Sequence, residues 1–226
     1  MSPQPTESAQ RAELTERRTT APWRNKALVA TLAAALLAAP GIAQAAPPAP
    51  PAAPPAASAA QEQVAAATVT WTLERASNPT ADQQAAYTLI TSAMNAAVSR
   101  YNNLSDLGKS ITVRYDTSVP TADGSINGTI RFGANRSYMT ERTALHEIAH
   151  TIGVGTSGGW SSLGGSGTWT GAQATALVRQ FDGSSAKLST GGGHFWPYGL
   201  NYENEFSSTA ADRHVRIVAA MVRDGL

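Results

Sequence analysis

Two histidines four residues apart enclose a glutamate in the run His146-Glu147-Ile148-Ala149-His150, and no other feature of the chain narrows its fold so far. Residues i and i+4 share one face of an α-helix, so the two imidazoles converge on a single point when this run is helical. Its surroundings favour that. Thr140 is a good N-cap, Glu141 and Arg142 suit a first turn, and Gly153 supplies the positive-φ residue that often ends a helix, so a helix is predicted over residues 140–152. The remaining positions Ala144, Leu145, Ile148, Ala149 and Ile152 are apolar and suit burial. On such a helix both imidazoles reach one metal ion at the roughly 2.0–2.1 Å that zinc requires. Glu147 points to a neighbouring part of the surface, where it can serve as general base without being a ligand.

A catalytic zinc ion takes three protein ligands and keeps one open position. The chain contains no cysteine, so the third ligand must be an imidazole, a carboxylate or a tyrosine. Two further histidines exist. His194 follows Gly191, Gly192 and Gly193 and precedes Phe195-Trp196-Pro197-Tyr198, a constrained, aromatic-rich segment able to approach another element closely; it is the preferred third ligand. His214 stands between Arg213 and Arg216 on a final helix and reads as solvated surface. Glu205, or its neighbour Glu203, is the carboxylate alternative. Tyr198 is the candidate donor to a developing oxyanion, with Tyr202 behind it; packing among aromatic neighbours is the competing role for both.

Ahead of this region the chain has a different character. Ala27–Ala39 is an apolar run of thirteen residues, preceded by Arg17, Arg18, Arg24 and Lys26 and followed by the small-residue site Ala43-Gln44-Ala45. That order is a secretory signal peptide over residues 1–45, and the run is short for a membrane span. Residues 46–64 are rich in proline and alanine, hold little side-chain area to pack, and read as a linker or pro-segment. Five of the 17 basic and three of the 16 acidic residues precede Ala46, leaving twelve and thirteen. A near-neutral domain at 65–226 has no electrostatic case for binding nucleic acid or an anionic membrane. A secreted monomer without stable membrane association is expected.

Within residues 65–226, Ala67–Arg75 alternates as a strand, residues 81–101 carry apolar positions at helical spacing, and Ile111–Tyr115 is a second strand. Ile126–Phe132, with its Asn127-Gly128 pair, is a third strand or a hairpin. The glycine-rich stretch Gly153–Gly171 reads as an ordered loop, followed by helices near 172–181 and 209–223. This order is an α+β pattern with a small mixed sheet, a long N-terminal helix and the His146–His150 helix.

The segment HEIAHTIGVGT with its upstream strand resembles the zincin metallopeptidases, and GHFWPYGLNYENEF resembles a group of secreted bacterial zincin-like proteins that often carry carbohydrate-binding modules. The metzincin pattern HExxHxxGxxH is matched at His146, Glu147, His150 and Gly153, but Thr156 stands where its third histidine falls. Asn204-Glu205 faintly matches the downstream glutamate of thermolysin-like zincins, without their following aspartate, since Thr209 stands there. The resemblance implies a Zn2+-dependent endopeptidase of extracellular protein or peptide, with Ile126–Phe132 as the edge strand that pairs with substrate. Two other functions compete. One is a carbohydrate or cell-wall binding module using Trp160, Trp169, Phe195, Trp196, Tyr198 and Tyr202; the other is a zinc amidase directed at peptidoglycan.

Overall fold

The computed structural model describes residues 68–226. The expected leader and linker, residues 1–45 and 46–64, lie outside them. The described chain is α+β, with five α-helices, a four-stranded mixed sheet and a separate two-stranded hairpin.

Strand β1 (Val69–Leu73) leads into the long helix α1 (Ala81–Leu104), which begins at a reciprocal cap: Thr80 accepts from the Gln83 N–H while the Gln83 side chain accepts from the Thr80 N–H. Ile90, Met94, Ala97 and Tyr101 form the buried stripe of α1, at the three- and four-residue spacing of one helical face. The chain returns through β2 (Lys109–Tyr115), which pairs parallel with β1 in the register Val69↔Lys109 to Leu73↔Val113. Then come β3 (Ala122–Gly124) and β4 (Thr129–Phe132), and the sheet order is β1-β2-β4-β3. Three strands are parallel; β3 alone runs antiparallel, paired to β4.

This corrects the reading of Ile126–Phe132 as the edge strand. Asn127 and Gly128 turn the chain, with Gly128 at φ 90° and the Asn127 side chain accepting from the Thr129 N–H, so Ile126 lies outside the strands and is exposed. The strand that follows is internal, between β2 and β3. The edge belongs to β3, which packs against helix α2 (Glu141–Ile152). A Cβ on Gly124 would fall on the Glu147 carbonyl oxygen, so the close approach of β3 to this helix requires glycine there.

Helix α2 starts at the Thr140 cap and ends at Gly153, φ 141°. Its Leu145 and Ile148 are fully buried, worth roughly 2–3 kcal/mol each in apolar area removed from water. The glycine-rich stretch contains a helix that sequence patterning did not reveal, α3 (Gly158–Gly164), capped by Ser157 and anchored by Trp160 packing on Trp169 at 5.8 Å. Helix α4 (Ala172–Asp182) and the C-terminal helix α5 (Ser208–Asp224) pack on each other, and α5 also meets α1 and α2. Between α4 and α5 lies the hairpin β5 (Ser189–Gly191) and β6 (His194–Trp196). Its two-residue turn, Gly192-Gly193, has positive φ at both positions, the geometry that tight hairpins favour and glycine adopts freely. No helix among the described residues is long and apolar enough to cross a membrane.

Candidate metal centre

Helix α2 projects His146 and His150 from one face, as their spacing requires. Their Nε2 atoms lie 3.1 Å apart. The hairpin turn sets His194 at the start of β6, where its ring stacks on His146 (centroids 5.2 Å, planes 13° apart) and stands edge-on to His150 (5.3 Å, 82°). One nitrogen from each of the three rings lies within 4.8 Å of the others, close enough to bind one metal ion. Glu205 is not part of this cluster, and Thr156 turns its hydroxyl back to the His150 carbonyl.

The hydrogen bonds around the rings fix which nitrogen is free. His146 Nδ1 lies 2.8 Å from the Gly199 carbonyl and His150 Nδ1 2.7 Å from the Val154 carbonyl. A carbonyl only accepts, so each Nδ1 carries the proton and each Nε2 presents a lone pair. Burial, then the neighbouring His150, holds His146 well below the usual imidazole pKa; burial likewise lowers His150. Both rings are therefore neutral, the state a metal ligand needs. Two lone pairs 3.1 Å apart repel unless a cation lies between them. Tetrahedral ligands at the zinc–imidazole distance are about 3.3 Å apart. The donor set fits the ion.

The Gly199 carbonyl belongs to a row of three, each fixed by a different side chain. His214 Nδ1 donates to the Tyr198 carbonyl (2.7 Å), His146 Nδ1 to Gly199, and Arg142 Nη1 to Leu200 (2.8 Å). Tyr198 and Leu200 hold positive φ angles of 68° and 56°, which non-glycine residues adopt rarely and at a cost of order 1–3 kcal/mol. The buried partners that hold them there are thus part of the site's support.

This arrangement overturns two sequence expectations. His214 is fully buried, its ring stacked on Phe195 and its Nε2 beside the Tyr101 hydroxyl and the Leu145 carbonyl. Its neighbours Arg213 and Arg216 point elsewhere because consecutive helical residues occupy different faces, whereas Ala211 and Val218 share its buried one. Tyr198, expected to face the reacting atoms, donates its hydroxyl to Asp182 (2.6 Å) and accepts from Arg213. Only its backbone serves the centre.

Glu147 is 5% exposed and lines, with the three histidines, a cleft of about 370 Å³. Burial, reinforced by the charge of Asp123, pushes its carboxyl up to about 8; a divalent cation beside it acts in the opposite direction. One wall is the edge strand β3 with Thr121, another the glycine turn Gly192-Gly193 with Gly155. Thr156 lines it beside Gly155, and the remaining lining residues are the four Tyr138, Arg142, Thr143 and Asn201. None of these four was singled out from sequence as part of a cleft. For Arg142 the signal existed, since it precedes His146 by one helical repeat. A larger cavity of about 610 Å³ opens near the ends of β1 and β2. Its carboxylates are each paired with an arginine, Glu74 with Arg114, Asp82 with Arg136 and Asp116 with Arg131, and no cluster of metal-binding groups lies in it.

The described residues thus define an α+β chain in which three histidines lie close enough to bind one metal ion. Comparison with protein-family models, with curated proteins and with solved structures finds no match.

Proposed function

We propose that this chain is an exported zinc-dependent endopeptidase of the zincin type, with His146, His150 and His194 as metal ligands and Glu147 as general base. The observation that carries this reading is the meeting of three imidazole nitrogens with a buried glutamate in one cleft beside an unpaired strand edge. Zinc, when bound, supplies Lewis acidity and makes water a nucleophile near neutral pH. Glu147 accepts the proton that the attacking water loses as its oxygen bonds to the scissile carbonyl carbon. It returns that proton to the amine nitrogen as the C–N bond breaks. Main-chain pairing to the outer edge of β3 holds an extended substrate across the cleft and gives loose sequence preference. Tyr138, a cleft tyrosine, takes the oxyanion-donor role first assigned to Tyr198.

The carbohydrate-binding alternative loses support because Trp160, Trp169 and Phe195 are core residues with 7%, 2% and 1% exposure. A peptidoglycan amidase uses the same chemistry and is separated by substrate. The purified chain is expected to hold about one zinc per molecule, to cleave casein in preference to peptidoglycan cross-link peptides, and to lose activity on chelation. Glu147→Gln should keep the zinc and lose activity by at least 100-fold. Zinc binding with no hydrolysis of any protein or peptide would overturn the proposal.

A further inference from the structure

Glu205 lies outside the metal cluster, yet the loop that carries the third ligand closes upon it. Trp196 Nε1–H donates to Glu205 Oε1 at 3.2 Å, and the Asn201 backbone N–H and Nδ2–H donate to Glu205 Oε2 at 2.8 and 3.3 Å. Trp196 is two residues beyond His194, and Asn201 is two residues beyond Gly199, whose carbonyl orients His146. Asn201 also donates from Nδ2 to the carbonyl of Phe195, the residue that follows the ligand. One carboxylate therefore ties together both points at which this loop meets the metal centre. No basic side chain of the described residues lies in ion-pair range of it, so its oxygens are taken up by donors of its own loop.

The orientation of Asn201 records the strength of this tie. Its Oδ1 is the one buried side-chain polar atom among the described residues without a hydrogen-bond partner. Rotating the amide to relieve Oδ1 would turn it toward the Phe195 carbonyl and the Glu205 carboxylate, acceptor against acceptor. The unpaired oxygen is the smaller cost, since hydrogen bonds to a charged group are among the strongest available.

We infer that Glu205 is a positioning residue for the metal centre: through Trp196 and Asn201 it holds His194 and the Gly199 carbonyl in register, and so sets metal affinity without touching the ion. This rests on the three-histidine reading of the centre. Groups that orient metal ligands from outside the coordination sphere typically govern affinity by 10- to 100-fold.

The test is zinc affinity of the purified chain and of Glu205→Gln, measured by competition with a chromophoric chelator, together with the visible spectrum of each protein loaded with Co2+. Gln has the shape of Glu but sets an amide N–H against at least one of the three donors. The expected result is about 10- to 100-fold weaker zinc binding and an altered cobalt spectrum. Unchanged affinity and spectrum, even with a lower melting temperature, would show a purely structural residue and overturn the inference. If Glu205→Gln does not fold, Trp196→Phe decides, because it removes one donor and keeps an aromatic ring: weaker zinc binding supports the role, and equal binding overturns it. A parent chain that binds no zinc removes the metal centre itself, a failure distinct from that of Glu205.

Discussion

Each catalytic candidate here is defined by what its polar atoms touch. Tyr198 and Tyr138 make the contrast testable. Tyr198→Phe removes a partly exposed bond to Asp182 and Arg213, so stability should fall by about 1 kcal/mol with kcat/KM unchanged. Tyr138→Phe should lower kcat about 100-fold with KM little altered, if its hydroxyl serves the transition state; steady-state kinetics on one peptide separates the two. The pair also marks how far sequence reaches. His146, Glu147 and His150 were legible because four-residue spacing fixes a face of a helix, and His194 because few imidazoles compete for the third position. Tyr198 was misread for a conformational reason. Adjacency to a ligand does not give side-chain direction, and around the left-handed residues Tyr198 and Leu200 it is carbonyls that turn inward, that of Tyr198 to His214 on α5 and those of Gly199 and Leu200 to His146 and Arg142 on α2.

Helices with a strong apolar period were recovered almost to their ends, since α1, α2, α4 and α5 each bury one face. Around Asn127-Gly128 the hairpin alternative is the one found, β3 and β4 pairing across that turn, but the strand bounds were not legible, because a short run of β-formers does not say which residues the turn consumes. Helix α3 escaped for a related reason: its stability comes from Trp160 packed on Trp169, a tertiary contact that composition hides. The hairpin and α2 meet at Gly155, where φ is 71° and a Cβ would fall on the Gly193 backbone. Gly155→Ala should thus push the turn, and His194 with it, away from α2. The expected outcome is zinc affinity reduced at least tenfold in a chain whose far-UV circular dichroism is unchanged.

At the scale of the whole molecule, His214 joins α5 to α1, α2 and the ligand loop, and its titration affects them together. Burial drives its folded pKa down to about 4, against the partial restoring effect of the Tyr198 and Leu145 carbonyls. The unfolded chain takes up this proton near pH 6.5 and the folded chain only near 4, so stability is unaffected above about 6.5 and falls as pH drops through that window. The loss approaches ~3 kcal/mol. The raised carboxyl of Glu147 acts with the opposite sign in the metal-free protein. The measurement is therefore the difference in urea stability between the parent and His214→Gln, at pH 7 and at pH 4.5, with the variant showing the smaller acid sensitivity. The ligand geometry carries a further consequence for a chain without cysteine. An ion shared by His150 and His194 spans 44 residues of sequence and acts as a reversible staple, worth about 4 kcal/mol if it restrains the unfolded chain as a disulfide of that span does. Chelation should lower the melting temperature by about 10 °C and open the stretch between α4 and β5 to limited proteolysis. Under the proposed function that would be a built-in quality control: a molecule that met a metal-poor medium would lose activity and also become a substrate for its metal-loaded siblings.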